Sequence, residues 1–405
     1  MNTQNSHEDD LLARVLHGRV DGMSQAPLSF DDVAAKAHTI RRHRRMVAAG
    51  AVAAAVAAIA LPAALLAGGG QNRSDELPPA TRSETPSAVT LPVLEGGLDV
   101  SGLPQGEAPR VAWQADGTLH LPDGSTVPVP EGWQVVAPYD DGFLAINWGG
   151  ERPRGGVLDA TGTLGRTFVM TGRPAVSEDG DRVLLQRDDR IVVHTNSTGD
   201  DSVVQGVPGT TDAYEFEGIG FAPDGSVYYN ASTGGPQTAA LWRAGEVLVP
   251  DEALEYLGAS STGWTSELTD RNEDLTTCSV TRERFGGPVV GQTCELLFGD
   301  FSPNGELVLA RPSYLDGTGD AQLAVVSRDY RDAGSQRIVD LSRLEQSDAL
   351  FGESVFEDDE HVLVSAWQDG TWHLVRIGLT DGAVEEVADP VTTDDFDRPF
   401  RLLAW

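Results

Sequence analysis

Two stretches, FAPDGSVYY at residues 221–229 and FSPNGELVL at residues 301–309, share one pattern. Each opens with Phe, continues through Pro to an Asp-Gly or Asn-Gly pair, and ends in an apolar run. Gly and Asn tolerate the positive φ of a tight turn, so each stretch predicts a turn that leads into a strand. We expect structural roles for these residues, with the rings packing between sheets while the turns reverse the chain. The signature residues are Phe221, Pro223, Asp224 and Gly225 in the first stretch, and Phe301, Pro303, Asn304 and Gly305 in the second.

Weaker copies of the pattern lie on either side. VSEDGDRVLL aligns through Val176, and VFEDDEHVLVSA aligns with Phe356 in the Phe position. The successive spacings from Val176 through Phe221 and Phe301 to Phe356 are 45, 80 and 55 residues. Because eighty is twice forty, we expect one unit with a degenerate signature between the two clear copies. A period of about 40–45 residues with several strands per unit is typical of β-propeller blades.

The units resemble the WD40-like repeats of TolB-type β-propellers, in which Phe-Ser-Pro-Asp-Gly precedes a strand, a polar hairpin and a second strand. The resemblance implies an all-β propeller and leaves its ligand open. Residues 101–405 accommodate about seven blades, with six or eight as alternatives. In such folds the C-terminal strand often pairs with the first blade, and RPFRLLAW (398–405) and PRVAWQADG (109–117) suit that closure.

An uncharged apolar run precedes this domain. Residues 47–67 contain no charged side chain, and a helix of that length spans ~30 Å, the thickness of the hydrocarbon core of a bilayer. We therefore predict a transmembrane helix over residues 46–67. The positive-inside rule then places residues 1–45 in the cytoplasm and the C-terminal domain outside it. The N-terminal flank that decides this orientation contains Arg41, Arg42, Arg44 and Arg45.

A cleaved secretory signal is the alternative to this anchor. Such a signal normally has a short basic leader and a shorter apolar core, whereas about 45 residues precede this run. No small-x-small cleavage site follows cleanly. We therefore favour a single-pass cell-membrane protein over a secreted one.

The segments flanking the predicted span differ in character. Residues 1–45 show apolar side chains at helical spacing and predict a short helical stub, too small for a core of its own. It is either a solvated leader or a docking site for a cytoplasmic protein, and it resembles the stubs of actinobacterial membrane regulators, including anti-sigma-like proteins. Residues 68–100 are rich in Gly, Pro, Ser, Thr and acids, which predicts a disordered linker. Residues 101–405 form the predicted extracytoplasmic propeller.

The net charge of −33 arises almost entirely after residue 70. Such an acidic domain repels nucleic acid and anionic lipid, so we exclude nucleic acid as a partner and restrict membrane contact to residues 46–67. The acidity serves either solubility or the recognition of a basic ligand.

The only two cysteines flank a predicted hairpin in LTTCSVTRERFGGPVVGQTCEL, residues 275–296. A turn centred on Gly286 pairs residues whose numbers sum to 572, and this sum brings Cys278 opposite Cys294. Outside the cytoplasm that arrangement favours a disulfide.

Catalytic signatures are missing from the sequence. It contains no HExxH, GxSxG or P-loop motif, and its eight histidines are scattered. We therefore expect no enzyme, no cofactor and no metal, but a propeller that binds a protein, peptide or cell-envelope ligand and can relay that state to the stub. The alternative is a hydrolase or lyase working in the axial depression, which would show converging carboxylates or histidines with perturbed pKa at the channel mouth.

Overall fold

The computed structural model describes residues 94–403 apart from residues 151, 189, 205–214, 233–236, 273–275, 315–321, 333–334, 343–349 and 394–397. Every element in this part of the chain is a β-strand. Within it, no helix has the length and hydropathy needed to cross a bilayer. The predicted stub, its arginine cluster, the predicted membrane span and most of the predicted linker lie outside the described residues and stay predictions.

The strands are numbered along the chain. The first half comprises β1 (Leu94–Gly96), β2 (Ala112–Ala115), β3 (Thr118–His120), β4 (Thr126–Pro128), β5 (Gln134–Tyr139), β6 (Gly142–Asn147), β7 (Arg154–Leu158), β8 (Leu164–Val169), β9 (Ala175–Val176), β10 (Arg182–Arg187), β11 (Arg190–Thr195), β12 (Asp200–Val203), β13 (Glu215–Phe221), β14 (Val227–Ser232) and β15 (Thr238–Arg243). The second half comprises β16 (Glu246–Leu248), β17 (Glu255–Ala259), β18 (Thr265–Arg271), β19 (Thr277–Arg282), β20 (Val289–Thr293), β21 (Leu296–Phe301), β22 (Leu307–Pro312), β23 (Gln322–Ser327), β24 (Arg337–Ser342), β25 (Leu350–Phe356), β26 (His361–Gln368), β27 (Thr371–Gly378), β28 (Val384–Glu386), β29 (Val391–Thr392) and β30 (Arg401–Leu403).

These strands form seven sheets, each built around four antiparallel strands that are sequential in the chain except in blade 1. Blade 1 has the order β30-β2-β3-β4, and blades 2 to 5 are β5–β8, β9–β12, β13–β16 and β17–β20. Blade 6 is β21–β24 with β1 added at its edge, and blade 7 is β25–β28 with β29 paired to β27. The all-β prediction is confirmed, and of the six, seven or eight blades considered, the protein has seven.

The chain closes the ring with its C-terminal strand. β30 pairs antiparallel with β2, so that Ala112 lies opposite Leu403 and Gln114 opposite Arg401. Leu402 faces blade 7 and Leu403 faces blade 2, because side chains alternate between the two faces of a strand. The first blade therefore depends on residues from both ends of the described chain, as the sequence predicted.

The hydrophobic core lies between blades. The described residues contain seven apolar clusters, and each occupies one of the seven interfaces between neighbouring blades. Phe221 is buried between blades 3 and 4, where the guanidinium of Arg182 lies 4.9 Å from the centre of its ring. Phe301 packs in the corresponding cluster with Trp264 of blade 5. A blade can bury its apolar faces only against its neighbours, which makes the closed ring the folding unit.

Glycine turns join the first two strands of most blades, but the unit predicted between the two clear signatures lacks Phe, Pro and Asp. Its turn runs from Ser260 to Trp264, with the Gly263 N–H donating to the Ser260 carbonyl at 3.0 Å. The same bond joins Gly225 N–H to the Ala222 carbonyl at 2.9 Å in the clear copy. Ala259 therefore stands in the Phe position, so the backbone geometry persists where the signature side chains do not.

The propeller begins earlier than residue 101. β1 runs parallel to β24, with Leu94 opposite Val339, and Leu98 and Val100 are buried between blades 6 and 7. Residues 68–100 are polar when taken as a whole, and this overall composition hides the apolar side chains at the end of the segment. The end of the predicted linker therefore belongs to blade 6.

Blade 5 is built differently from the others, since its buried side chains are largely polar. The Ser266 hydroxyl donates to the Gly299 carbonyl at 2.8 Å, and the Ser279 hydroxyl to the Leu296 carbonyl at 3.0 Å, both in blade 6. Hydroxyl bonds to the neighbouring backbone thus replace part of the apolar packing. The buried polar residues of this blade include Thr265, Ser266, Glu267, Ser279, Thr281, Arg282 and Thr293.

The cysteine hairpin lies in this polar blade. β19 and β20 pair Ser279 with Thr293 and Val280 with Gln292, so the predicted register sum of 572 is confirmed. Cys278 and Cys294 come one step further along the hairpin and lie at disulfide distance, with Cα atoms 4.1 Å apart. A covalent link here ties together two strands that have few apolar contacts.

Candidate functional site

Charged side chains converge on the axis of the ring. The first strand of each blade is the innermost, and neighbouring inner strands contact one another from β25 through β30, β5, β9, β13 and β17 to β21. Their side chains line an axial channel. We use the term axial cluster for the charged residues that meet there: Arg173, Glu217, Glu255, Asp300, Glu353 and Arg401.

Arg173 and Glu353 meet across the channel. Arg173 immediately precedes the inner strand of blade 3, and Glu353 lies on the inner strand of blade 7. Two blades separate them on one side of the ring and three on the other, yet the Arg173 guanidinium lies 3.9 Å from the Glu353 carboxylate. The Arg173 side chain keeps 65% of its surface exposed, so this is a loose, solvent-exposed contact.

Glu353 also holds the closing strand. Its two carboxylate oxygens accept hydrogen bonds from the Arg401 guanidinium at 2.8 Å and from the Leu402 N–H at 2.7 Å. Both donors belong to β30. The same carboxylate therefore links ring closure to the charges on the axis.

Two other carboxyl groups in the cluster resist ionisation. Burial raises the pKa of Glu217, against the opposing positive charge of Arg173. Desolvation by the surrounding protein likewise raises the pKa of Asp300, against the charges of Arg311 and Arg173, although part of the residue is exposed. Glu255, which adds to the negative charge near Glu217, is paired to Arg271 at 2.6 Å.

This arrangement suits two kinds of chemistry. Neither Glu217 nor Asp300 forms a salt bridge among the described contacts, so both have capacity to accept a cation. A carboxyl group with a raised pKa can also donate a proton as a general acid. No histidine lies on a described inner strand, since His120, His194, His361 and His373 occupy second or third strands of their blades.

A second polar group lies away from the axis, at the junction of blades 7 and 1. Glu357, Asp358 and His361 bring three possible metal-ligand atoms within 4.8 Å of one another. Glu357 is however already paired to Arg376 at 2.5 Å and accepts the Arg110 N–H at 2.6 Å, while the Arg110 guanidinium pairs with Asp358 at 2.7 Å. Ion pairs account for this group, and we assign no metal to it.

The sequence-predicted signature residues lie outside the axial cluster. Phe221 and Phe301 end the inner strands of their blades, and Gly225 and Gly305 have φ angles of 82° and 72° in the turns that follow. Asp224 is held by the Ser226 hydroxyl and backbone, hydrogen bonds that keep its pKa below the usual range. The amide oxygen of Asn304 accepts the Glu306 N–H at 2.8 Å. Pro223 and Pro303 lie in the same turns, and none of these residues faces the channel cluster.

Sequence reasoning missed the residues of the axial cluster. They belong to no motif and are spread over blades far apart in the chain. One signal was present: Glu217 and Glu255 both stand four residues before the position of the signature Phe, at Phe221 and Ala259. A charge repeated at that position of an inner strand indicates a residue near the axis.

No protein-family model and no curated protein matches this chain. Among solved structures, a putative TolB from Agrobacterium tumefaciens is similar at 14% identity, over 57% of this chain and 84% of that one, with a TM-score of 0.39. The uncharacterised protein lmo1340 from Listeria monocytogenes EGD-e is similar at 11% identity, over 66% and 86% of the two chains, with a TM-score of 0.43. The dihydro-heme d1 dehydrogenase NirN is similar at 10% identity, over 72% and 76%, also with a TM-score of 0.43.

These similarities extend to the fold alone, which the seven described blades establish independently. The similar structures include one enzyme and two proteins whose names indicate no catalysis. They therefore do not show whether this protein binds a ligand or catalyses a reaction.

Proposed function

We propose that this protein is a membrane-anchored, extracytoplasmic β-propeller that binds a protein, peptide or cell-envelope ligand at the mouth of its axial channel. The observation that carries the proposal is the axial cluster, in which charges from several blades meet while two carboxyl groups form no salt bridge among the described contacts. A basic group on the ligand would neutralise Glu217 and Asp300 and displace the loosely held Arg173. Binding is then coupled to proton release, because a nearby cation lowers a raised carboxyl pKa.

The anchor rests on the arginine cluster before residues 46–67 and on the disulfide, which favours an oxidising compartment. A reporter that is active only outside the cytoplasm, fused after Trp405, should be active in cells. Protease added to intact cells should leave the N-terminal stub uncut. A mature chain that starts near Gly68 would instead support the secreted alternative.

The ligand is tested by crosslinking from membranes, with the full chain carrying Glu217→Gln and Asp300→Asn. We expect a crosslinked partner with the native chain that is lost with this pair. The matched control is Glu131→Gln, which removes an exposed carboxylate elsewhere on the propeller. Retention of the partner by the axial variant would place binding elsewhere and refute the proposed site.

A hydrolase or lyase is the second candidate, because Glu217 and Asp300 both have raised pKa values and could supply a general acid. If this candidate is correct, the purified chain turns over a peptide or glycoside substrate, and Glu217→Gln abolishes turnover while binding persists. Loss of binding without any turnover in the native chain would exclude it in favour of a binding module.

A further inference from the structure

A cavity of about 450 Å³ opens between blades 2 and 3, away from the axial cluster. We call it the lateral cavity. Its volume falls within the range of about 300–1,000 Å³ that small organic ligands occupy in proteins. The β5–β6 turn, strands β7 and β8, and strands β10 to β12 contribute to its lining.

The floor of the lateral cavity is a polar network around His194, whose side chain is only 4% exposed. The Nε2 atom lies 2.8 Å from the Asp140 carboxylate, and Nδ1 lies 2.9 Å from the Asp201 carboxylate. The ring stacks on Tyr139 with centroids 4.2 Å apart. Since a neutral imidazole has a single N–H, both contacts are hydrogen bonds only when the ring carries two protons. The His194 ring thus lies between one carboxylate of blade 2 and one of blade 3.

The charges of the lateral cavity do not balance. Arg187 pairs with Asp201 and donates to the Tyr139 hydroxyl at 3.1 Å, so its charge is already used. Asp159 accepts the Thr161 hydroxyl and the backbone of the same turn, and these hydrogen bonds lower its pKa and keep it ionised. No described contact uses the carboxylate of Asp141. The lining contains four carboxylates against two guanidinium groups and one imidazole: Asp140, Asp141, Asp159 and Asp201, with Arg166, Arg187 and His194. Even with both ring nitrogens of His194 protonated, one negative charge remains in excess.

The remaining wall is apolar. Val157 and Phe168 line the cavity beside the ring of Tyr139, and all three belong to the apolar cluster between blades 2 and 3. A bound group would therefore meet excess negative charge at one side and hydrocarbon at the other. Aromatic rings next to carboxylates also favour cations, through the negative face of the ring.

We propose that the lateral cavity binds a small organic cation, a primary ammonium or guanidinium group carried on a short apolar stem. The charged head contacts Asp140 and Asp141, and the stem lies against Phe168 and Val157. A metal ion is a poorer fit, because the described residues bring three close ligand atoms together only at Glu357, Asp358 and His361. This site is separate from the axial cluster and does not depend on the function proposed there.

The test uses the purified full-length chain and fluorine NMR of trifluorobutylammonium, with the neutral trifluorobutanol as its isostere. We expect the ammonium compound to bind and the alcohol to bind at least about threefold more weakly, the effect of losing one partly exposed charge contact. Asp141→Asn should weaken binding of the ammonium compound by a similar factor.

The matched control is Asp116→Asn, because Asp116 occupies the turn of blade 1 that corresponds to the β5–β6 turn and has a φ of 47°, close to the 51° of Asp140. This control should leave the affinity unchanged. Equal weakening by Asp116→Asn would show diffuse attraction to an acidic protein, and loss on Glu217→Gln would place the cation in the axial channel. Either result, or equal binding of the alcohol, overturns the proposal.

Discussion

Replacing Phe400 by Ala tests whether the C-terminal strand holds the ring together. Phe400 is 1% exposed and lies in the cluster between blades 7 and 1, with its ring centre 6.0 Å from that of Trp113. The substitution removes the ring from the interface between blade 7 and blade 1, which contains residues from both ends of the described chain. Truncations of buried Phe to Ala cost about 3–5 kcal/mol, part from lost transfer free energy and part from the cavity left behind.

The expected loss is a large share of the stability of a domain, which is about 5–15 kcal/mol. With an unfolding entropy of about 2.1 cal/mol/K per residue over roughly 310 residues, a loss of this size lowers the melting temperature by ~5–8 °C. Urea denaturation of residues 94–405, followed by circular dichroism, measures the free energy of unfolding. Calorimetry on the same samples measures the melting temperature.

Two control substitutions separate the effect of losing the buried ring from other effects of the change. Tyr314→Ala truncates an aromatic side chain that is 42% exposed, and should change the free energy of unfolding by no more than about 0.5 kcal/mol. Phe400→Leu keeps most of the volume and should cost less than about 1.5 kcal/mol.

Deleting residues 398–405 should cause aggregation, because it exposes the edge of β2, whereas deleting residues 70–92 should leave the propeller a monomer. If Phe400→Ala behaves like Tyr314→Ala and the C-terminal deletion stays monomeric, ring closure through β30 is refuted.

Three further predictions concern the disulfide, Tyr256 and Glu217. Mass spectrometry of the native propeller should find Cys278 linked to Cys294, and the double Ser variant should lose up to about 3 kcal/mol; free thiols in unreduced protein would contradict this. Tyr256→Phe should leave the free energy of unfolding unchanged or raise it, because the buried Tyr256 hydroxyl has no partner among the described residues, and a loss above about 1 kcal/mol would reveal a missed hydrogen bond. Glu217→Gln should raise the free energy of unfolding at pH 7 but not below about pH 4. Burial raises the pKa of Glu217, so the folded state binds that proton more tightly than the unfolded state does. The stability of the native protein therefore falls as the pH rises through the raised pKa, whereas the glutamine variant has no such loss. If Glu217→Gln raises the free energy of unfolding by the same amount at both pH values, ionisation of Glu217 is not the cause.

The local backbone conformation of the turns could be predicted from the sequence alone. Asp-Gly pairs predict tight turns because Gly at positive φ is a property of a few neighbouring atoms, and Gly117 and Gly225 have φ angles of 70° and 82°. The cysteine register was equally local, since a hairpin with a known centre determines every pair along it. Repetition of such turns at one spacing then indicated the number of blades.

The tertiary structure adds constraints that an Asp-Gly pair by itself does not show. In DDGFLAIN the positive φ falls on Asp140, at 51°, and Gly142 begins the next strand instead. Gly142 is required for another reason: a Cβ there would lie 2.0 Å from the carbonyl oxygen of Leu158. The sequence shows a glycine in both cases and does not distinguish a turn from a close approach of two strands.

What the sequence alone determined about this protein is its class of fold, its closing strand and its hairpin register, because these depend on contacts between near neighbours or on a repeated period. The axial cluster and the lateral cavity were decided only by the tertiary structure. Arg173 and Glu353 are 180 residues apart, and they meet because a closed ring turns the inner edges of all blades toward one axis. His194 binds Asp140 from the neighbouring blade for the same reason. No pattern along the chain records which side chains of different blades will share a space, since that depends on the angle at which each blade packs on the next.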